Sequence, residues 1–243
     1  MSVLALRLTG PLQSWGSRSR FTQRMTEPAP TKSGVIGLLA AAQGRRRSDP
    51  IEDLLGLSLA VRTDQQGRIV RDFHTAHHQL SGAAMPLTHR YYWSDAVFTA
   101  FVGGPSEVLE GLHEALRDPK YPLYLGRRSC VPAGKISLGV FPGTVEEAVA
   151  TIGWQAGPVE RRRWKGSSSV RLPVQADQSV YPDLVGSKEL SDIPIDFNPE
   201  HRQYRSRMVV ETYVVLSTGT AAGESRRDEA ALGHDPLALL GGD

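Results

Sequence analysis

The sequence has little cysteine, little asparagine and no long apolar run. Cys130 is the single cysteine among 243 residues, which excludes an internal disulfide and a cysteine-based zinc site. Asn198 is the single asparagine and Pro199 follows it, so the N-glycosylation motif is absent. Because no stretch of about 18 apolar residues occurs and no basic segment leads into one, we expect neither a membrane span nor a signal peptide. These absences predict a cytoplasmic protein with no membrane partner.

The small net charge conceals a separation of charge along the chain. Lysine and arginine total 28, aspartate and glutamate total 26, and the net charge is +2. Residues 1–48 nevertheless carry eight basic residues and one acid, whereas residues 211–243 carry six acids and two bases. The hydrophobic share of 40% is typical of a globular protein and excludes a disordered one. The basic N-terminal region favours a polyanionic partner. For the high arginine content alone, a genome whose codon usage favours arginine is an equally good explanation.

Short apolar segments separated by glycine and proline predict a mixed α and β fold. We expect strands, helices and one hairpin at the following positions: strands at 3–8, 96–102, 136–141 and 208–216, helices at 31–42, 105–116 and 145–152, and a hairpin of 57–63 with 68–73. Up to residue 141, the order resembles the ferredoxin-like β-α-β-β-α-β order with one additional strand and a weakly patterned insertion at about 74–95. Relatives of that fold often bind single-stranded RNA, although order alone does not determine a function.

Residues 12–44 form the segment that says most about function. A loop that carries arginines and Trp15 leads into the predicted helix. A helix N-terminus offers free N–H groups and a partial positive charge, arginine binds phosphate oxygens, and tryptophan can stack on a base. For Trp15, packing beneath the loop is an equal alternative. The residues predicted to bind RNA in this segment are Trp15, Arg18, Arg20, Arg24, Thr31, Lys32 and Ser33.

Lys32 and Ser33 do not complete a P-loop. That motif places glycine at positions equivalent to 26 and 31, and threonine occupies both. A cradle for a nucleoside triphosphate is therefore unsupported. Because Glu27 is the one acid near Lys32 in the sequence, we expect the Lys32 ammonium to meet a phosphate and not a carboxylate.

Three further segments hold candidate residues. Arg127 and Arg128 follow Gly126, which would let the backbone approach a phosphate; an ordinary surface pair is the alternative. Residues 161–165 form another basic run, for which an RNA contact, a partner contact and a solvated loop all remain open. The third segment contains His89, Arg90 and Tyr91, which suit a hairpin tip that contacts RNA or a partner.

Histidines concentrate in the insertion, at positions 74, 77, 78 and 89. No acid or cysteine accompanies them at the spacing of metal ligands, so the sequence predicts no metal site there. Cys130 is expected to be a small buried hydrophobic residue and not a nucleophile.

The segment at 12–44 resembles the CRISPR-associated RAMP family, in particular the CasD-type subunits that cap the 5′ end of the guide RNA in type I-E Cascade. Residues 124–132, Tyr-Leu-Gly-Arg-Arg-Ser-Cys-Val-Pro, are similar to a family block that ends in Cys-x-Pro. A less sharp likeness at 197–210 adds Arg202, Tyr204 and Arg207 as further RNA or partner contacts.

The resemblance implies an α+β fold with a ferredoxin-like (RRM-like) palm over residues 1–145 and a β-hairpin thumb inserted at about 74–95. A small β-rich part over 146–217 and a flexible acidic tail over 218–243 would follow. It also implies a non-catalytic subunit, with no cofactor and no metal, that grips the crRNA 5′ handle and caps the backbone filament in antiviral defence. The implied partners are the guide RNA, the Cascade backbone subunit CasC and the large PAM-reading subunit CasA, with target DNA contacted indirectly.

Two alternatives remain open. Related members from another CRISPR subtype cleave precursor RNA without a metal, which requires a general base and a cation for the developing charge. His74, Tyr91 and Lys135 are available for those roles, although no spacing singles them out. A stand-alone RNA-binding module is the second alternative.

Overall fold

The computed structural model describes residues 1–16, 22–197 and 203–218. Arg18, Arg20 and Arg202, and the predicted acidic tail beyond residue 218, lie outside the described residues. In chain order, the elements are β1 (Ser2–Thr9), β2 (Leu12–Gln13), β3 (Gln23–Arg24), α1 (Lys32–Ala42), α2 (Glu52–Leu55), β4 (Ser58–Gln65), β5 (Arg68–His74), β6 (Thr88–Ser94), β7 (Val97–Gly104), α3 (Ser106–Arg117), β8 (Ser137–Pro142), α4 (Val145–Thr151), α5 (Pro158–Arg163), β9 (Ser169–Asp177), β10 (Lys188–Asp196) and β11 (Gln203–Ser217).

Four strands and two helices form the ferredoxin-like palm. The strands lie in the order β8-β1-β7-β4 and are antiparallel, and α1 and α3 pack against one face of them. Side chains alternate between the two faces of a strand. In β1, Leu4, Leu6 and Leu8 therefore face α1 and α3, whereas Val3 and Ala5 face α4 on the opposite side. The predicted fold class is confirmed.

The helix α1 begins and ends where the sequence predicts. Thr31 is its N-cap and accepts a hydrogen bond from the Gly34 amide at 3.2 Å. The chain leaves the helix at Gly44, whose φ of +82° suits glycine. None of the helices in the described ranges is long and apolar enough to cross a membrane.

The C-terminal strands extend the palm sheet instead of forming a separate layer. β9 pairs with β4, and β11 and β10 continue outward to give the order β10-β11-β9-β4-β7-β1-β8. The region contains three strands that are continuous with the palm sheet.

The insertion between β4 and β7 forms a two-stranded ribbon of β5 and β6, which pairs with β2 and β3 in a second sheet. The predicted hairpin of 57–63 with 68–73 is wrong, because β4 pairs with β7 and β9 while β5 pairs with β6. A Cβ atom at Gly67 would lie 2.4 Å from the Ser94 carbonyl oxygen, so glycine allows the chain to cross between the sheets at this point. The ribbon starts at Arg68, before the boundary near residue 74 that the sequence suggests.

A buried ion pair attaches α4 to the palm. The Arg62 guanidinium pairs with the Asp64 carboxylate and donates to the carbonyl oxygens of Val149 at 2.7 Å, Ile152 at 2.8 Å and Gly153 at 3.0 Å. Burial raises the pKa of Asp64 and lowers the pKa of Arg62. Because the guanidinium satisfies the carbonyls at the end of α4, this pair has a structural role.

Candidate nucleic-acid interface

The ribbon brings two arginines from distant segments onto one face. β3 pairs in parallel with β6, so Arg24 lies opposite Arg90. Directly paired residues project from the same side of a sheet, and the two guanidinium groups therefore share a face. Arg24 is exposed and Arg90 is half-buried. In the sequence, Arg24 follows the loop that carries the other predicted arginines.

Arg127 holds this face together. Its guanidinium donates to the carbonyl oxygens of Arg24 at 2.8 Å, Met25 at 3.3 Å and Tyr91 at 3.4 Å, and it lies 5.0 Å from the centre of the Tyr92 ring. The predicted RNA contact of Arg127 is corrected, because both terminal nitrogens of its guanidinium donate to these protein carbonyls. Arg127 positions β3 against β6.

Gly126 brings the Arg127 turn against the N-terminal segment. Its φ is +89°, and a Cβ atom there would lie 1.8 Å from the Ser14 carbonyl oxygen. The close approach is therefore to protein backbone. The sequence predicts an approach to a phosphate at this glycine, and that prediction is wrong. Arg128 projects from the same turn and is exposed. The turn ends at Cys130, which is buried, and this burial raises the pKa of its thiol, as expected for an inert cysteine.

Trp15 is part of the core. Its side chain is 0% exposed, its indole Nε1 donates to Gln13 Oε1 at 3.2 Å, and its amide donates to Thr26 Oγ1 at 2.9 Å. The ring lies against Gly34 of α1, where a Cβ atom would come within 2.8 Å of it. The prediction that Trp15 stacks on a base is therefore wrong, and its alternative, packing beneath the loop, is correct.

Acidic side chains of the C-terminal strands cover the N-terminus of α1. The Lys32 amide donates to Asp192 Oδ2 at 2.7 Å, and the Lys32 ammonium donates to Asp177 Oδ2 at 3.1 Å. Thr31, Lys32 and Ser33 are all buried, so the predicted phosphate contacts of these three residues are corrected. The acids lie 145 and 160 residues further along the chain, so no acid near Lys32 in the sequence indicates them.

Arg207 completes this buried ion network. Its Nε donates to Asp192 Oδ1 at 2.6 Å, its Nη2 donates to Asp192 Oδ2 at 2.9 Å, and its Nη1 donates to Asp177. Burial opposes its charge, but the hydrogen bonds and charges of the two aspartates outweigh burial and raise the pKa of Arg207. The predicted RNA or partner role of Arg207 is corrected to a structural one. Tyr204 is half-buried on β11, and its role stays a prediction.

Three arginines near the β3–β6 pairing have no ion-pair partner among the described residues. Arg24, Arg90 and Arg128 form no ion pair with any residue that the structure describes. Two buried atoms of β6, Arg90 Nε and His89 Nδ1, also have no hydrogen-bond partner within the described ranges. Unpaired cations beside unsatisfied polar atoms suit a polyanionic ligand with many acceptor oxygens. We call Arg24, Arg90 and Arg128 the arginine face.

Comparison with known proteins gives the family. A family model described as "CRISPR-associated protein (Cas_Cas5)" matches residues 3–210. The chain belongs to the Cas5 family. It is 36% identical over 159 residues to the CRISPR system Cascade subunit CasD of Escherichia coli (strain K12), a match that spans 57% of this chain and 70% of the relative. The predicted resemblance is thereby confirmed.

Two solved structures share the fold of this Cas5 chain. One belongs to a CRISPR RNA-guided surveillance complex, with a TM-score of 0.73, 32% identity, and coverage of 92% of this chain and 95% of the other. The second is a crystal structure of a Cas protein, with a TM-score of 0.68, 36% identity, and coverage of 87% and 94%.

The ribbon of this Cas5 chain also differs from the predicted thumb at its tip. His89, Arg90 and Tyr91 lie within β6 and not at a hairpin tip. The His89 amide donates to the Thr22 carbonyl at 2.7 Å, and the Tyr91 carbonyl accepts from Ser14 Oγ at 3.0 Å. The tip is instead the connection 75–87, which exposes Leu80 and Met85.

Two of the residues considered for RNA cleavage, His74 and Tyr91, are not brought together. His74 is paired with Thr88, and Tyr91 is three positions further along β6, so their side chains project from opposite faces of the ribbon. Among the described residues, no group of three or more His, Cys, Asp or Glu side chains is placed to hold a metal. The arrangement supports electrostatic binding better than acid–base catalysis.

Proposed function

We propose that this Cas5-family chain is the non-catalytic subunit of a type I-E Cascade complex that grips the 5′ handle of the guide RNA and caps the backbone filament. Its partners are the guide RNA, the backbone subunit CasC and the large PAM-reading subunit CasA, with target DNA contacted indirectly. A cytoplasmic location is part of the proposal. The observation that carries it is the arginine face, three unpaired cations on a preformed surface in a relative of a Cascade subunit.

The arginine face is ordered by protein contacts before any ligand binds. Arg127 fixes the backbone of β3 through Arg24 and Met25 and the backbone of β6 through Tyr91. Binding therefore requires little ordering of backbone, which favours affinity. The Arg90 Nε, a buried donor with no partner in the part of the chain that the structure describes, gains a hydrogen bond when a phosphate oxygen arrives.

The test is a triple variant, Arg24→Ala with Arg90→Ala and Arg128→Ala, titrated with 5′-handle RNA at several salt concentrations. Each phosphate contact on a single strand contributes about 0.7 to the slope of log K against log salt, so we expect the slope to fall by about 2. We expect affinity to fall by at least about tenfold, because the loss of even one hydrogen bond to a charged group costs about 1.5 to 3 kcal/mol.

A charge-matched control replaces two arginines that follow α1 in the chain and one on α3. Arg46→Ala, Arg47→Ala and Arg117→Ala together remove the same charge from exposed positions. We expect this control to retain nearly the full salt slope. Equal losses in both triple variants would show that only net charge matters, and an unchanged slope in the first would refute the arginine face.

A further inference from the structure

Phe73 is a large aromatic residue whose ring lies in solvent. It is near the end of β5, and its side chain is 65% exposed. Its backbone is paired with β6, so the strand holds the ring in place before any ligand arrives. A ring presented in this way loses little conformational freedom on binding, and every nucleobase offers a flat face on which an aromatic ring can stack. Phe73 is not among the residues that the sequence predicts to bind RNA.

Two cross-strand pairs form a continuous surface around this ring. Phe73 is paired with His89, and Arg71 is paired with Tyr91. The His89 amide and the Tyr91 carbonyl direct their hydrogen bonds to the N-terminal segment, away from β5. Such non-hydrogen-bonded pairs place their Cα atoms about 4.5 Å apart, and residues two apart on a strand project from the same face. We call Arg71, Phe73, His89 and Tyr91 the Phe73 platform.

The Phe73 platform carries a cation and no acid. Arg71 is exposed and forms no ion pair with the residues that the structure describes. The adjacent Asp72 projects from the opposite face, where its carboxylate lies 2.9 Å from His74 Nε2. Arg71 and Phe73 are two residues, or about 7 Å, apart along the strand. A nucleotide whose base lies on the ring can therefore place a phosphate near the guanidinium.

The Phe73 platform and the arginine face lie on opposite faces of the ribbon. Arg90 is at an even-numbered position of β6, whereas His89 and Tyr91 are at odd-numbered positions. Phosphates that contact Arg24 and Arg90 therefore leave the platform free for a base. Within the described ranges, β5 pairs with β6 alone, so its outer edge is open. An RNA strand can pass around this edge from one face to the other.

We infer that the Phe73 platform binds one unpaired nucleotide of the guide RNA, with its base stacked on the Phe73 ring and its phosphate at Arg71. The inference rests on the proposed function, and it adds a base contact to the phosphate contacts of the arginine face. Stacking accepts every base, so the platform selects for a single-stranded nucleotide and not for a sequence.

The test separates stacking from charge. Phe73→Ala removes the ring and keeps every charge, so it should weaken binding of handle RNA about 5- to 150-fold without altering the salt slope. Phe73→Tyr should restore binding, whereas Phe73→Leu, which is apolar but not aromatic, should bind nearly as weakly as Phe73→Ala. Arg71→Ala should instead lower the salt slope by about 0.7.

Ile69→Ala is the matched control for Phe73→Ala. Ile69 is an exposed apolar residue at another odd-numbered position of β5, so it shares the face of Phe73 but lies four residues away. We expect Ile69→Ala to bind handle RNA as the wild type does. All of these positions are exposed, so the melting temperatures of the variants should remain close to that of the wild type.

Handle RNAs that each lack one base locate the stacked nucleotide. At one position, loss of the base should weaken binding to the wild type about as much as Phe73→Ala does, and the two changes together should cost no more than either alone. Additive losses at every position would overturn the inference, as would full binding by Phe73→Leu.

The remaining outcomes separate the inference from the proposed function. If Phe73→Ala binds RNA normally but loses a protein subunit from the assembled complex, this face docks protein and the inference fails. If the platform variants bind RNA normally while the arginine-face variant binds weakly, the inference fails and the proposed function stands. If the arginine-face variant also binds normally, both fail.

Discussion

Asp192 offers the sharpest test of how the C-terminal strands support the N-terminus of α1. Its carboxylate is 0% exposed and accepts three hydrogen bonds, one from the Lys32 amide and two from Arg207. Asp192→Ala leaves two cations, Lys32 and Arg207, to share the single carboxylate of Asp177, and it leaves the helix N–H without an acceptor. Removing one partner of a buried ion pair costs about 3 to 5 kcal/mol.

For a chain of this size, each 1 kcal/mol lowers the melting temperature by about 2 to 4 °C, so Asp192→Ala should lower it by roughly 6 to 20 °C. Denaturant unfolding gives the free energy directly. Glu189→Ala is the matched control, because Glu189 is an exposed carboxylate on the same strand. A free energy of unfolding for Asp192→Ala within about 0.5 kcal/mol of the wild type would refute the reasoning, since that is the range of ordinary surface substitutions.

A double variant separates loss of charge balance from loss of shape. Asp192→Leu with Arg207→Met removes one anion and one cation together and leaves Lys32 paired with Asp177. Because replacing a whole buried ion pair by apolar groups is often close to neutral, the double variant should recover most of the stability that Asp192→Ala loses. If it is less stable than Asp192→Ala, the charge-balance explanation is wrong.

Two further predictions concern Arg127 and Asp53. Arg127→Lys retains the charge but loses the planar guanidinium that reaches several carbonyls, so it should weaken RNA binding several-fold in a filter-binding assay. The control Arg128→Lys should leave RNA binding nearly unchanged. Equal effects of the two variants would contradict the positioning role of Arg127. Hydrogen bonds from Arg45 lower the pKa of Asp53 below 3.8, so their stabilisation is complete above that pH and is lost as pH falls through the lowered pKa. Denaturant unfolding of Asp53→Asn should therefore show a loss of about 0.2 to 1 kcal/mol at pH 7 that disappears in strong acid; a loss that persists there would contradict the pairing.

Local signals in the sequence are enough to predict the palm. Thr31 and Gly44 bound α1, and the order of strands and helices leads to the ferredoxin-like topology. Gln66 and Gly67 do separate two strands, as the sequence predicts, but the predicted pairing of those strands is wrong because the choice of strand partner depends on burial. Residues 59–62 are buried and need neighbours on both sides, which the exposed β5 does not provide.

β9 shows a signal that was present but missed. Val170, Leu172, Val174 and Ala176 alternate strictly, which is typical of a half-buried strand. Pro173 argues against a strand, but it occupies one of the exposed positions of the alternation.

The residues of the candidate site are harder to predict from the sequence than the palm is. The residue type alone does not distinguish a cation that binds a ligand from a cation that binds a carboxylate of the protein. Lys32 and Arg24 look equally suited to phosphate. Their difference arises from Asp177, which is remote in the sequence and has no local motif. The sequence around Trp15 likewise does not indicate that its ring packs on Gly34, because a single contact between segments that are distant in the chain produces no periodic pattern.

The buried ion network also bears on the order in which the chain is made. Lys32 leaves the ribosome long before Asp177, Asp192 and Arg207, so the start of α1 has no acidic partner until nearly all of the described chain has emerged. Domains fold as units during synthesis, and a buried cation without its counter-ion is costly. The N-terminus of α1 therefore gains its acidic partners only when β9 and β10 dock, so these contacts form late in synthesis.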